Sequence, residues 1–261
     1  MNKTFIITLA ILFTCLCLNC RNGITDESNV ITTSSNLDTG LPAQGLVAYY
    51  PFIGTADDAS GNGNNGTNSG ATPTSDRFGH STNAYNFSRN TYIRIPELFP
   101  ATVSGFTFAV WVMKDTVDNN THTILYKGLD QGEASLGITS TSTGVKLGFG
   151  VNLQNGSLGG QNWYSASVPD TLKAKTYYFL VGRYTKGQKI DFSINGILSG
   201  SVVIPDTCLA QWPNHSYSAI GMHTSFPMTT GWSGVIDDIR VYNRALSDAE
   251  VQALFHEGGW Q

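Results

Sequence analysis

From Gly45 onward the chain is cut into short runs rich in β-branched and aromatic residues, each bounded by Gly, Asn, Pro or Ser. That punctuation constrains the fold more than any other feature. "GLVAYYPF", "AYNFSRNTYIRIP", "GFTFAVWVMK", "HTILYKG", "VKLGFGV", "TYYFLVGRYTKG", "KIDFSINGILSG", "YSAIGM" and "SGVIDDIRVY" all suit strands. Many strands at this spacing, with no amphipathic helix between them, predict an all-β fold, an antiparallel sandwich of two sheets. In "GFTFAVWV" Phe106, Phe108, Val110 and Val112 fall on one side and Thr107, Ala109 and Trp111 on the other. Both sides are largely apolar, which places this strand centrally in its sheet. In "KIDFSINGIL" the apolar residues alternate strictly, and Asn195-Gly196 supplies the two positive φ angles of a type I′ hairpin turn.

The one convincing helix comes last, in "RALSDAEVQALFHEGG". Ser247 with Glu250 forms a capping box, Asp248 suits the positive end of the helix dipole, and Val251, Leu254 and Phe255 make an apolar stripe. Gly258 and Gly259 stop it, so a short C-terminal lid on the sandwich is expected. Just before it, "GVIDDIRVY" raises a difficulty. A two-residue period puts Val235, Ile239 and Val241 on one face with Asp237 in the same register. A carboxylate in an apolar row needs compensation, either from backbone amides or from a cation.

The first residues do not belong to the sandwich. "FIITLAILFTCLCL" is short, apolar and preceded by Lys3, the pattern of a secretory signal, and it ends in "CLNC". That ending resembles the lipobox of bacterial lipoproteins, with Cys20 as the lipid-modified first residue of the mature chain; an ordinary signal peptide is the alternative. On this reading residues 1–19 are the signal and 20–44 a flexible tether rich in Ser, Thr, Asn and Gly. A coil of that length spans about 25–30 Å on average. Residues 45–261 are then the folded domain. Cys15 and Cys17 leave with the signal, so Cys208 is the remaining thiol and no disulfide forms within one mature chain.

Charge excludes one class of partner. With 15 Lys and Arg against 19 Asp and Glu, and the basic residues scattered, there is no footprint for nucleic acid. Membrane contact is expected through the N-terminal lipid only.

Several segments together resemble a known family. "LVAYYPF…DDASGNGNNGT" (Leu46 to Thr67), "DRFG…AYNF" (Asp76 to Phe87), the central "FTFAVWV", the Asn-Gly hairpin and the closing "GVIDDIRVYNRALSDAEVQAL" (Gly234 to Leu254) resemble a laminin-G-like domain of the concanavalin A-like lectin and glucanase superfamily. The resemblance runs from about Gly45 to Gly258. It implies a jelly-roll sandwich of two antiparallel sheets whose first and last strands are neighbours, in a family mostly of non-catalytic binding modules on exported proteins, often with bound calcium. Given that adjacency, the loop "DDASGNGNNGT" is expected to bring Asp58 towards Asp237, with a structural calcium held by those two carboxylates and by neutral oxygens around Asn62 and Asn64. The alternatives are that backbone amides of the glycine loop satisfy Asp237, and that Asp57 and Asp58 are turn formers only.

The remaining motifs decide between binding and catalysis. The glucanase branch of the superfamily uses Glu-x-Asp-x-x-Glu on one strand, which is absent here. There is no His-x-x-x-His pair and no Gly-x-Ser-x-Gly elbow. A non-enzymatic, lipid-anchored module of the bacterial outer membrane, periplasmic or surface-exposed, is therefore expected. It would bind a glycan or an extracellular protein, as an adhesin does; the alternative is an exported glycan-acting enzyme with an unfamiliar site. The candidate ligand-binding rings are Trp163 and Tyr164 in "GGQNWYSAS" and Trp212 in "CLAQWPNHSY", both read as polar and loop-like, with packing in core or rim as the plainer role for each ring.

Overall fold

Two eight-stranded antiparallel sheets share one apolar layer, as the strand pattern requires. The computed structural model describes residues 40–99, 102–129, 131–155, 160–210, 218–223 and 230–261. The signal, the tether to Thr39 and Cys20 lie outside the described residues, as do Trp212 and its flanks.

The first sheet runs β13 (Ile197–Val203), β12 (Lys189–Ile194), β11 (Tyr177–Thr185), β6 (Gly105–Lys114), β16 (Gly234–Tyr242), β4 (Ala84–Phe87) and β3 (Thr72–Thr74), and β1 (Leu46–Tyr50) also pairs with β16. The second runs β10 (Gly160–Pro169), β9 (Gly144–Asn155), β8 (Gln131–Thr141), β7 (His122–Leu129), β15 (Ser218–Ile220), β5 (Tyr92–Ile95) and β2 (Thr67–Ser69), with β14 (Cys208–Leu209) on β9. The first and last strands are neighbours: Tyr50 pairs with Ile239 and Tyr49 with Arg240.

Strand alternation fills the layer between the sheets. β6 sends in Phe106, Phe108, Val110 and Val112, and β9 sends in Leu147, Phe149, Val151 and Leu153. Phe149 meets Phe106 edge to face at 5.7 Å. Gly182 on β11 makes room for it, since a Cβ there would lie 2.2 Å from the Phe149 ring.

The outer face of the first sheet is also apolar, and the C-terminal helix α1 (Asp248–Phe255) covers it. Its Ser247–Glu250 capping box forms as expected, and Val251, Leu254 and Phe255 pack on Ala109, Trp111, Phe179, Val181 and Tyr242. The Asn195-Gly196 turn has both φ angles positive, at 49° and 78°.

Two expectations need correction. The apolar row expected to include Asp237 does not exist, because β16 carries a bulge. Asp237 pairs with Trp111 and Ile239 with the next residue back, Val110, leaving Asp238 as an extra residue at φ 50°. An inserted residue reverses the phase, so Ile236 points into the core before the bulge and Ile239 and Val241 after it. Asp tolerates the left-handed backbone at that point. The second correction concerns "GGQNWYSAS", read as loop-like, which is most of strand β10. Apart from Trp163 its outward residues are polar or small, and with Asn162 and Ala166 among the alternate positions the apolar alternation is weak.

Candidate functional site

Arg77, in the loop before β4, explains the two acids of β16. Its Nη1 donates to Asp237 Oδ2 at 2.8 Å, its Nη2 to Asp238 Oδ2 at 3.0 Å, and its backbone N–H also reaches Asp237. The guanidinium lies over Trp111 and Phe78, 4.8 and 4.5 Å from the ring centroids. On the other side of Asp238, Arg240 makes a bidentate pair with Glu257 at 2.5 and 2.8 Å and stacks on Tyr49. Two cations thus face three carboxylates in a buried layer beneath the C-terminal segment. Burial, opposed by Arg77 and reinforced by Asp238, pushes the Asp237 carboxyl up to about 6. Burial also raises Asp238. This is a structural clamp, and Arg77 is the partner that sequence reasoning passed over although it stands inside the "DRFG" segment.

The expectation that the glycine loop compensates Asp237 is therefore corrected. Tyr49 directs its backbone N–H to Asp58 Oδ1 and its carbonyl to Ala59 N–H, so this loop borders the edge of β1 away from β16. The β1 backbone separates Asp58 from Asp237. Asp58 also accepts from Ser60 N–H, Ser60 Oγ and Asn64 N–H. Burial alone would raise its carboxyl, but these donors hold it below the usual carboxylate range. Donor hydrogens aimed at Asp58 and a guanidinium against Asp237 do not fit a calcium shared by the two. No group of three or more His, Cys, Asp or Glu gathers around a possible ion among the described residues.

The outer face of the second sheet is different. Its β8, β9 and β10 alternate large apolar residues inward (Leu136, Ile138, Leu147, Phe149, Val151, Ala166) with small or polar ones outward. Register aligns the outward residues in rows across the strands: Ser135–Gly150–Ser165, then Gly137–Gly148–Ser167, then Thr139–Lys146–Pro169. Because glycines occupy the middle, the floor is bare backbone, and a trough of about 530 Å³ opens over it.

Trp163 stands in this trough half exposed, at 50%. Its ring lies on Gly150, where a Cβ would sit 2.2 Å from Cζ2 and 2.5 Å from Cε2. The Ser135, Thr139, Ser165 and Ser167 hydroxyls and the Lys146 ammonium have no intramolecular partner among the described residues. Glu133 stands at the Trp163 end, near His223. Burial holds His223 below the ordinary imidazole range, with Glu133 opposing. His122, at the rim, is fixed by Asp118 at 2.6 Å and the Gly231 carbonyl at 3.1 Å, and stands edge-on to Trp232. Such a surface offers one ring for stacking and many hydroxyl and backbone groups for hydrogen bonding.

Of the two expected ligand rings among the described residues, Trp163 faces the trough. Tyr164, its neighbour on a strand, points to the opposite face, packs against the core and brings its hydroxyl to 3.7 Å from Cys208 Sγ. The two cannot stack on one ligand. Sequence reasoning missed the Ser/Gly rows of β8 to β10 that make the floor; their signal was the alternation of Gly and Ser with Leu, Ile and Phe in "SLGI" and "KLGFG".

Comparison with known proteins places this geometry in context. The model of a family described as concanavalin A-like lectin/glucanases superfamily matches residues 87–252. No curated protein matches. Among solved structures, domain 4 of AbnA, a GH43 extracellular arabinanase from Geobacillus stearothermophilus, in complex with arabinotriose, is similar at TM-score 0.61 and 19% identity, covering 80% of this chain and 97% of that one. The botulinum neurotoxin serotype D ligand-binding domain in complex with N-acetylneuraminic acid is similar at TM-score 0.63 and 14% identity, covering 83% of this chain and 52% of that one. The binding domain of Paraclostridial Mosquitocidal Protein 1 is similar at TM-score 0.60 and 16% identity, with 82% and 52% covered. This chain thus spans about half the length of the toxin domains, and identities this low carry the fold alone.

Proposed function

Because this chain belongs to the concanavalin A-like lectin/glucanases superfamily, we propose that it is a non-catalytic module that binds a saccharide chain in the trough over β8 to β10. The carrying observation is Trp163, a half-exposed ring seated on a glycine beside serine hydroxyls that have no intramolecular partner among the described residues. A sugar presents an apolar face to such a ring and its hydroxyls to the floor. The arabinotriose and N-acetylneuraminic acid complexes of two fold neighbours support a glycan as the kind of ligand.

Against hydrolysis stands the charge of the lining. Glycoside hydrolysis uses a pair of carboxylates flanking the bond. Glu133 is the single carboxylate among the described residues lining the trough. In the same proposal Cys20 carries lipid and residues 21–44 tether the domain at the outer membrane, where binding serves adhesion or glycan capture.

A glycan array paired with a reducing-sugar release assay tests this reading. Binding without turnover, lost in Trp163→Ala with an unchanged melting curve, is the expected result. Turnover abolished by Glu133→Gln would overturn it, as would a blank array. For the anchor, palmitate labelling lost in Cys20→Ser is expected, and labelling that persists would reject Cys20.

A further inference from the structure

The trough has unlike ends. At one end stand Trp163 on β10 and Glu133 on β8, with His223 near Glu133; at the other, Lys146 stands in the row with Thr139 and Pro169. Gly150, beneath the Trp163 ring, and Lys146 are four residues apart on β9, which is about 13 Å along the strand. Between them lie the Gly137–Gly148–Ser167 row and its bare floor.

From this juxtaposition we propose that the trough selects an extended saccharide bearing a sparse anionic group, carboxylate or sulfate, and holds it in one direction, with a sugar ring on Trp163 and the anion at Lys146. The inference rests on the saccharide reading above and deepens it.

Each end has a separate reason. Lys146 has no ion-pair partner among the described residues, although most buried or half-buried cations of the domain have one, so its charge is open to a ligand. Its ammonium is a compact donor of three hydrogen bonds, which suits an anionic oxygen as well as a sugar hydroxyl. Glu133 does the reverse at the far end. It accepts from sugar hydroxyls and repels an anion, so a chain entering backwards meets like charge. A chain charged at every residue meets Glu133 whichever way it lies, and is disfavoured.

The glycine rows set the shape of what fits. A Cβ at residue 148 would approach Ser167 Cβ to 2.6 Å and the Ala166 carbonyl to 2.5 Å, and one at residue 137 would reach the His122 carbonyl at 2.3 Å. No side chain can rise from the middle of the floor, and a flat chain lies against backbone for the whole interval between ring and ammonium. The net charge of −4 provides no long-range attraction for anions, so selection is local to Lys146.

The test uses the purified chain on an array holding neutral, uronate-bearing, sialylated and sulfated glycans, with Trp163→Ala, Lys146→Gln and Glu133→Gln alongside, and melting curves as folding controls. The expected hits are sparsely anionic glycans, weakened about tenfold or more by Lys146→Gln, the loss typical of a hydrogen bond to a charged group. The uronate and sulfate arms tell the two anion sources apart. Glu133→Gln should strengthen binding of densely charged chains. Hits on neutral glycans indifferent to Lys146→Gln would overturn this inference and leave the saccharide reading standing. No hits at all would overturn both.

Discussion

Replacing Arg77 by Met removes one of the two cations that face Asp237, Asp238 and Glu257 while keeping roughly the same bulk against Trp111 and Phe78. The loss falls unevenly. Asp238 keeps a 3.5 Å contact with Arg240, whereas Asp237 is left with the backbone N–H of residue 77 alone. Both the Arg77 and Asp237 side chains are nearly inaccessible, at 4% and 3%, so the orphaned charge cannot be rescued by water. Breaking a buried pair from one side costs about 3–5 kcal/mol. For a domain of this size that lowers Tm by roughly 6–20 °C near pH 8. The pH dependence follows from the direction of the shift. Asp237 is already raised to about 6 in the folded state, and loss of Arg77 raises it further. A group raised on folding contributes stability that is fully present below its unfolded value and is lost as pH rises through its folded one. The deficit of Arg77→Met relative to wild type should therefore shrink between about pH 8 and pH 5, and Asp237→Asn in the same background should recover much of it. Differential scanning calorimetry across that range measures both. A drop of less than about 2 °C near pH 8, or a deficit of equal size at both pH values, would refute the assignment of Arg77 as the counterion.

Three further outcomes are expected. Gly150→Val puts side-chain atoms where the Trp163 ring now lies, so titration calorimetry with a glycan from the array should show weakening of about thirtyfold or more, the scale of a central contact worth 2 kcal/mol; unchanged affinity would remove Trp163 from the site. Chelator should leave the melting temperature of wild type unchanged, because donors already occupy both oxygens of Asp58 and a guanidinium neutralises Asp237 at its Oδ2; a fall reversed by calcium would restore a metal to these residues. Hydrogen bonds from Arg244, with Ser247 assisting against burial, pull Glu250 down to about 2. Its contribution is present above the ordinary Glu value and lost as pH falls through about 2; the pair is 28–29% exposed, so Glu250→Gln should cost under about 1 kcal/mol at neutral pH and nothing in strong acid.

How far the sequence disclosed this molecule depended on which face of a strand carried apolar side chains. β6 and the Asn195-Gly196 hairpin were legible because Phe106, Phe108, Val110 and Val112 alternate without interruption and the turn needs two positive φ angles. The helix was legible through Ser247 and Glu250, whose cap is a local interaction. The Asp237 register was not, because a bulge is one added residue and a fixed period has no term for it. The partner was hidden for another reason. Arg77 and Asp237 are 160 positions apart, and only the paired sheet order brings them together. β10 escaped because Ser, Gly and Asn have low strand propensity, and those are the residues that leave room for a ligand. Trp163 was singled out as a ring in polar surroundings, yet what makes it a platform is Gly150, on a neighbouring strand.

The two outer faces obey one rule with opposite results. On the first sheet Ala109, Trp111, Phe179 and Val181 point outward, and a helix with a matching stripe closes over them. On the second, the outward rows of Ser, Thr and Gly leave little apolar area to reward a cover, and none is built there among the described residues. Trp163 is the exception in those rows. With half its surface exposed, it leaves on the order of 100 Å² in water, forgoing about 2–3 kcal/mol of burial that an inward position would have supplied. The Gly150 seat fixes the ring without covering its free side, so a stacking partner recovers that burial without first ordering the side chain.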